Sequence, residues 1–472
     1  MSKQRLTKII CTLGPACATE EQITALADGS MSVARVNLSH GSREEHMKTI
    51  RLLQKINSKR AIPIGILLDT NGAEIRTGDV QTPLVLKKGD EVLFCSQNDL
   101  SAHAKKKVIS VSYDGFADDV RETDRILIDN GELSLDILSI NKDGSVLARA
   151  REDGEIGSRR HVNLPGADID MPSITEKDWQ DITFAAQQNV DFVALSFVRS
   201  AEEVAQVRDF LRKQKSTTKI ISKIETAQAM ECIGDIIRAS DGIMIARGDL
   251  GAEVPFETLP SIQDEIIVRC SDASKPVIVA THMLESMKDH PIPTRAEMTD
   301  VAHAAMELTD ATMLSGETAT GKHPPIALDA MDRLLRNAEE HISRFSETAR
   351  DIRIENDKYD ARSDAAVSLA KSIGASVILV FTRSGKTAQQ ISKFRPIVPI
   401  IACTNDPKVQ GAMTLLYGVC PLLIPFADAE TTISHGMKAV LEHGFAQKGD
   451  KLILVSDVPK ELADWSIQQR AL

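Results

Sequence analysis

The chain has 472 residues, enough for about three domains at roughly 150 residues each. Apolar residues make up 42% and charged residues 26%, the balance of a water-soluble globular protein. The net charge of −11 speaks against a nonspecific nucleic-acid binder or a basic membrane-surface protein, but not against a cationic pocket for small anions. No apolar run reaches the ~20 residues of a membrane span, and the opening MSKQRLTKII lacks a signal-peptide core. Seven cysteines with no CxxC pair suggest neither a disulfide framework nor a zinc site. A cytoplasmic, multi-domain protein is expected.

Apolar, β-rich runs recur along the first 320 residues, most followed by a helical stretch. They are Lys8–Leu13, Val33–Leu38, Ile62–Leu68, Phe192–Phe197, Lys219–Ile224, Gly242–Ala246, Pro276–Ala280 and Thr312–Leu314. Near-continuous Ile/Val/Leu runs suit strands buried on both faces, and alternation with helices implies a parallel sheet. Eight such units predict a closed (β/α)8 barrel. The first strand ends in Cys11-Thr12-Leu13-Gly14-Pro15 without a GxGxxG fingerprint, which disfavours an open doubly wound sheet.

The spacing breaks after the third run. Val108–Val111 and Leu133–Leu147 alternate apolar and polar residues, and Asn141-Lys142-Asp143-Gly144 predicts a hairpin turn. Residues 71–165 therefore read as a small all-β lid inserted at the barrel's catalytic end, with the barrel itself at 1–70 and 166–345. A helical stretch over Ile326–Arg353 leads to a charged segment around Asp357–Ser363. Strands at Ser376–Phe381, Val398–Cys403, Val419–Ile424 and Lys451–Val455 then predict a separate α/β domain over 346–472.

Side chains on a strand alternate with period two, so polar residues at strand ends can be assigned to faces. Arg35, Asn37 and Ser39 share one face, and the next strand ends in Asp69-Thr70. Such hard oxygens can converge on a cation, or simply cap turns. Lys223 and Glu225 share a face of the fifth run, and the sixth leads into Arg247-Gly248-Asp249. Glu225 and Asp249 are placed to share a Mg²⁺ ion, the alternative being a structural Lys–Glu–Arg–Asp ion network. Gly248 lets backbone approach an anion. His282 reads as a rim or interface histidine, since no second histidine stands at ligand spacing. Thr382-Arg383-Ser384-Gly385-Lys386-Thr387 joins a strand to a helix and suits a phosphate, although Val380 stands where a Walker A motif has its first glycine. A divalent site, cations facing an anion and a lid together point to phosphoryl transfer.

The chain also resembles pyruvate kinase over nearly its whole length. The resemblance is carried by Thr7–Pro15, Ala34–Gly41, Asp69–Gly78, Leu164–Asp178, Ser196–Arg199, Ser222–Glu225, Ala246–Gly251, Ala280–Met287, Pro293–Glu297 and Met313–Ala319. It implies transfer of phosphate from phosphoenolpyruvate to ADP, giving pyruvate and ATP. By motif, Lys223 would stabilise the transferring group, Glu225 and Asp249 would hold Mg²⁺ (or Mn²⁺), and Asn37, Ser39, Asp69 and Thr70 would bind K⁺. Arg35 and Arg76 would contact nucleotide or phosphate, as would His40 and Lys177. Gly248 would face the substrate carboxylate, and Thr281 would influence protonation of the enolate. Glu74 matches the K⁺-dependent variant of the family.

The resemblance further implies a homotetramer, with Pro293–Glu297 between catalytic domains, and a phosphorylated effector at Thr382, Ser384, Gly385, Lys386 and Thr387. Asn71 and Ala73 replace the usual Lys and Pro after Asp69-Thr70. His282 stands where Gln is common and Leu308 where Gly is common. The chain end from Asp457-Val458-Pro459-Lys460 departs from the glycine-rich loop and final strand of relatives, which counts against a fructose-bisphosphate site. Two rival readings are a Mg²⁺-dependent lyase acting on phosphoenolpyruvate or a 2-oxo acid, and a non-catalytic metabolite sensor. The motifs Arg35–His40 and Asp69–Arg76 argue against the lyase, and retention of Lys223, Glu225, Asp249 and Thr281 against the sensor.

Overall fold

Strands with no polar interruption must be covered on both sides, and here closure into a barrel does this. The computed structural model describes residues 4–96, 107–120, 125–129, 131–167, 169, 171–345, 358–456 and 466–472. Lys8–Leu13, Val33–Asn37, Gly65–Asp69, Phe192–Leu195, Lys219–Ile224, Gly242–Ala246, Val277–Ala280 and Ala311–Leu314 pair in chain order, and the last closes on the first. All are parallel, with Asn37 opposite Asp69 and Lys223 opposite Met244. The third strand begins at Gly65 rather than Ile62, because Pro63 has no N–H to give to a ladder. Capping boxes at Thr19, Ser42, Thr175, Ser200 and Thr294 start five of the barrel helices.

The barrel interior is layered. Val33, Leu67, Ile221, Met244 and Ile278 fill its middle. Two residues further along the same inward faces stand Arg35, Asp69 and Lys223. The period that fills the core thus lifts charged groups to the C-terminal mouth, the end where this architecture carries its chemistry.

The inserted domain leaves the barrel after Asp69 and returns before the helix Glu176–Gln188. Its main sheet orders Val162–Asn163, Arg125–Ile128, Leu133–Ile140, Val146–Ala150, Glu91–Ser96 and Val108–Val111. Leu84–Leu86 and Gly154–Ile156 form a second, two-stranded sheet. The expected hairpin closes by Asn141 N–H donating to Ser145 O at 2.8 Å, with Gly144 at φ +78. Among its described residues a four-residue helix, Phe116–Asp119, interrupts the β character.

The C-terminal sheet orders Val419–Leu423, Ile400–Thr404, Val377–Phe381, Lys451–Ser456 and Ser466–Ala471, the last antiparallel. The charged segment before this domain is helical from Lys358 on: Lys358–Ile373 is a helix, and Asp360 makes a buried ion pair with Lys393 at 2.7 Å. A final strand is also present, since Ser-Ile-Gln-Gln-Arg-Ala needs only the ladder of Lys451–Ser456 to order it. The altered loop at Asp457–Lys460 and the helix end at Arg353 lie outside the described residues.

This domain plugs the bottom of the barrel. Leu415 is fully buried among Ile10, Val33 and Leu67 of the barrel interior. Arg395 forks onto Asp310 at 2.6 and 2.9 Å, and Lys8 Nζ donates to Val419 O at 2.6 Å. Leu415→Ala is therefore expected to cost about 2–5 kcal/mol by opening a cavity at the plug. Leu423→Ala, at a half-exposed position, should change stability by under ~0.5 kcal/mol. Denaturant unfolding of the two variants compares them; equal losses would show that Leu415 is not a plug.

Candidate active site

Lys223 lies at the centre of the mouth. Its ammonium is 2.9 Å from Glu225 Oε1 and 3.3 Å from Asp69 Oδ1, and it donates to Ser196 Oγ at 2.7 Å. Burial opposes the charge, but Asp69 and Glu225 outweigh it and hold the ammonium above its ordinary range. Asp69 is fully buried and takes a second cation, Arg35 Nε at 2.6 Å. Burial pushes the Asp69 carboxyl up, while Lys223 and Arg35 together bring it below the usual carboxylate range. Arg35 is steadied by donating to Thr12 Oγ1 at 3.0 Å.

Glu225 accepts the Phe197 N–H at 2.7 Å through Oε2. Its Oε1 is buried and faces the Lys223 ammonium at 2.9 Å. Burial, with Asp249 adding, pushes the Glu225 carboxyl up. Asp249 opens the helix Arg247–Glu253, where burial is outweighed by a contact from His161 that draws its carboxyl down. His161 Nδ1 stands 3.5 Å from Asp249 Oδ1. Among the described residues no three His, Cys, Asp or Glu side chains cluster as a ligand set. Two carboxylates beyond neighbouring strands, Glu225 buried and Asp249 largely so, are nonetheless the sparse set that suits Mg²⁺, which keeps water and phosphate oxygens as its other ligands.

Thr281 links the next two strands. Its hydroxyl donates to Ala280 O at 2.6 Å and accepts the Gly248 N–H at 2.7 Å. In this arrangement the Gly248 N–H serves Thr281. Arg247 donates to Thr281 O at 2.8 Å and forks onto Asp300 at 2.7 Å. Phe197, Thr281 and His282 all have φ between +52 and +67, a conformation side chains rarely adopt, and these bonds hold it in place. His282 itself is exposed.

The oxygen group expected from the second and third strands is partly assembled. Asn37 and Asp69 are register partners, and Asn37 Oδ1 accepts the Ser39 N–H at 3.1 Å. Thr70 O accepts from Ser196 Oγ at 2.8 Å. The expected nucleotide contacts are more scattered. Arg76 pairs with Glu74 and donates to Arg159 O, Lys177 donates to Leu38 O at 2.9 Å, and His40 is exposed. In the C-terminal domain Gly385, at φ +80, starts the helix Lys386–Lys393, with Ser384 and Lys386 exposed and Thr382 and Thr387 buried.

The chain matches the family profile of the pyruvate kinase barrel domain over residues 4–328 and of the pyruvate kinase alpha/beta domain over 360–464. The chain belongs to the pyruvate kinase family. It is 41% identical to plastidial pyruvate kinase 2 of Arabidopsis thaliana, across 96% of this chain and 78% of that protein. It is 38% identical to the pyruvate kinase of Lactobacillus delbrueckii subsp. bulgaricus, with the same coverage. The pyruvate kinase of Eimeria tenella is also 38% identical, across 98% of this chain and 88% of that one. Pyruvate kinases are phosphotransferases, and the mouth of this barrel is built for phosphoryl transfer.

Reading from strand motifs passed over Ser196, Thr12 and His161. Ser196 was within reach, because it continues the inward period of Phe192 and Ala194. His161 was not, since its partner stands 88 residues away on another domain.

The charge balance has a pH consequence. A carboxyl held below its ordinary range contributes stability that is complete above that range and is lost as pH falls through the lowered value. Asp69→Asn should therefore destabilise the protein by about 3–5 kcal/mol at pH 7, and by progressively less below pH ~4. Denaturant unfolding at pH 7 and pH 3.5 checks this; a gap that widens in acid would contradict the assignment.

Proposed function

We propose that this chain transfers the phosphoryl group of phosphoenolpyruvate to ADP, with Mg²⁺ (or Mn²⁺) held by Glu225 and Asp249 and K⁺ held by Asn37, Ser39, Asp69 and Thr70. The observation that carries this reading is the buried Lys223 ammonium, fixed between Asp69, Glu225 and Ser196 at the barrel mouth. A β-phosphate oxygen of ADP attacks phosphorus, the bond from phosphorus to the enol oxygen breaks, and the enolate leaves to be protonated at carbon. Lys223 and Arg35 offset the negative charge spread over the transferring group, which is the main catalytic demand of this chemistry. The divalent cation, when bound, supplies further charge neutralisation on phosphate oxygens.

Thr281 acts near the enolate. Its proton is committed to Ala280 O, so protonation runs through water and hydroxyls rather than from Thr281 alone. Gly248, next to it, borders the substrate carboxylate. Arg76, His40 and Lys177 serve the nucleotide, which calls for Arg76 to leave Glu74 when ADP binds. Glu74 marks the K⁺-dependent form.

Ser384, Gly385 and Lys386, with Thr382 and Thr387 shaping the turn, receive the phosphate of an effector, a sugar phosphate or a nucleotide. The assembly is a homotetramer, supported by exposed Ile292 and Met306 at the two ends of the segment that holds the helix Arg295–Met306. Among the described residues no helix is long and apolar enough to cross a membrane, and we place the protein in the cytoplasm.

Pyruvate release from phosphoenolpyruvate and ADP with Mg²⁺, with and without K⁺, tests the reading. Wild type should turn over and be stimulated by K⁺, and Lys223→Met should lower turnover by at least about 10²-fold. Wild type inactive across sugar phosphates and AMP would sink the kinase assignment. Turnover indifferent to K⁺ would remove the cation cage alone.

A further inference from the structure

The lid meets the metal-bearing helix through two side chains that phosphoryl transfer does not itself require. His161 and Asn163 stand two apart where the lid chain returns to the barrel, so they share one face. Asp249 and Glu253 stand four apart on the helix Arg247–Glu253, so they too share a face. The two faces match in register. His161 Nδ1 is 3.5 Å from Asp249 Oδ1, and Asn163 Nδ2 donates to Glu253 Oε1 at 3.0 Å.

His161 also touches the other arm of the site. Its ring packs edge-on against Phe197 with centroids 5.8 Å apart, and the Phe197 N–H is the donor to Glu225. One lid side chain thus bears on both carboxylates of the cation site, directly on one and through a backbone amide on the other. Beside these contacts lies a cavity of about 290 Å³, lined by Ile75, Leu164, Phe197 and Thr226 among others. Loss of the two lid bonds would therefore not be made good by close packing at this point.

We propose that His161 is a positioning residue for the divalent cation: it donates to one oxygen of Asp249, turning the other toward the site shared with Glu225, and Asn163–Glu253 keeps it in register. This rests on reading Glu225 and Asp249 as the cation site. Two neighbouring carboxylates repel when both are ionised. A donor on the outer oxygen of one holds it in place, as outer-shell partners do for ligating carboxylates. Because the donor belongs to the lid, seating the lid and preparing the cation site become one event. His161 acts through Asp249 rather than as a third ligand, since no three-residue ligand set forms among the described residues.

Mn²⁺ binding to the full chain, followed by electron paramagnetic resonance without substrates, tests this directly. His161→Ala should weaken Mn²⁺ binding about 10–100-fold. His161→Gln, whose amide N–H can serve the same oxygen, should recover most of that loss, and Asn163→Ala should fall between wild type and His161→Ala. Circular dichroism melts establish that each variant is folded. Wild-type affinity in His161→Ala would overturn the proposal, as would His161→Gln binding no better than His161→Ala. Glu225→Gln separates the two levels: if it binds Mn²⁺ as wild type does, the cation-site reading fails, whatever His161 does.

Discussion

An ammonium group inside a barrel costs several kcal/mol of lost hydration unless anions meet it closely, and Lys223 meets two. Much of the mouth follows from that requirement. Asp69 must be buried to reach Lys223, and once buried it can hold a second cation, Arg35. Glu225 must lie on the same inward face, where burial and the nearby Asp249 push its carboxyl up despite Lys223. The site is preorganised for incoming charge because its own charges are balanced against each other rather than against water.

The two added domains act on this centre from opposite ends. At the bottom, Leu415 fills the barrel interior and the buried Arg395–Asp310 pair fastens the C-terminal domain to the loop before the eighth strand. Through Leu415 that domain is part of the packing beneath the charged layer. At the top, the lid reaches the helix that carries Asp249 through His161 and Asn163. The top contact is polar and borders a cavity, whereas the bottom contact combines the buried Leu415 side chain with the buried Arg395–Asp310 ion pair.

Strained backbone marks the same division. Phe197, Thr281 and His282 adopt left-handed conformations at the ends of barrel strands, each near a bond that the mouth uses. The Phe197 N–H is aimed at Glu225, and the Thr281 carbonyl is pinned by Arg247. Such conformations cost about 1–3 kcal/mol each and persist where surrounding bonds over-determine them. The Arg247–Asp300 fork is one of those determinants, well outside the centre itself.

The order of strands, the inserted β domain, and the shared face of Lys223 and Glu225 were legible in the chain. Each depends on short-range periodicity: apolar runs for buried strands, and period two for which side chain faces in. Pro63, the helix from Lys358 and the strand Ser466–Ala471 show where that reading slips, since a local pattern does not reveal a distant ladder or the buried partner of Asp360. What only the tertiary structure decided is which residues meet across domains. Leu415 in the barrel, Ser196 beneath Lys223, Gly248 engaged by Thr281 and His161 against Asp249 are contacts between segments tens to hundreds of residues apart. Sequence by itself determined the strands and their faces because those follow from neighbours a few residues away; the balance of charge at the mouth depends on distances that exist only once the barrel has closed and both added domains have docked.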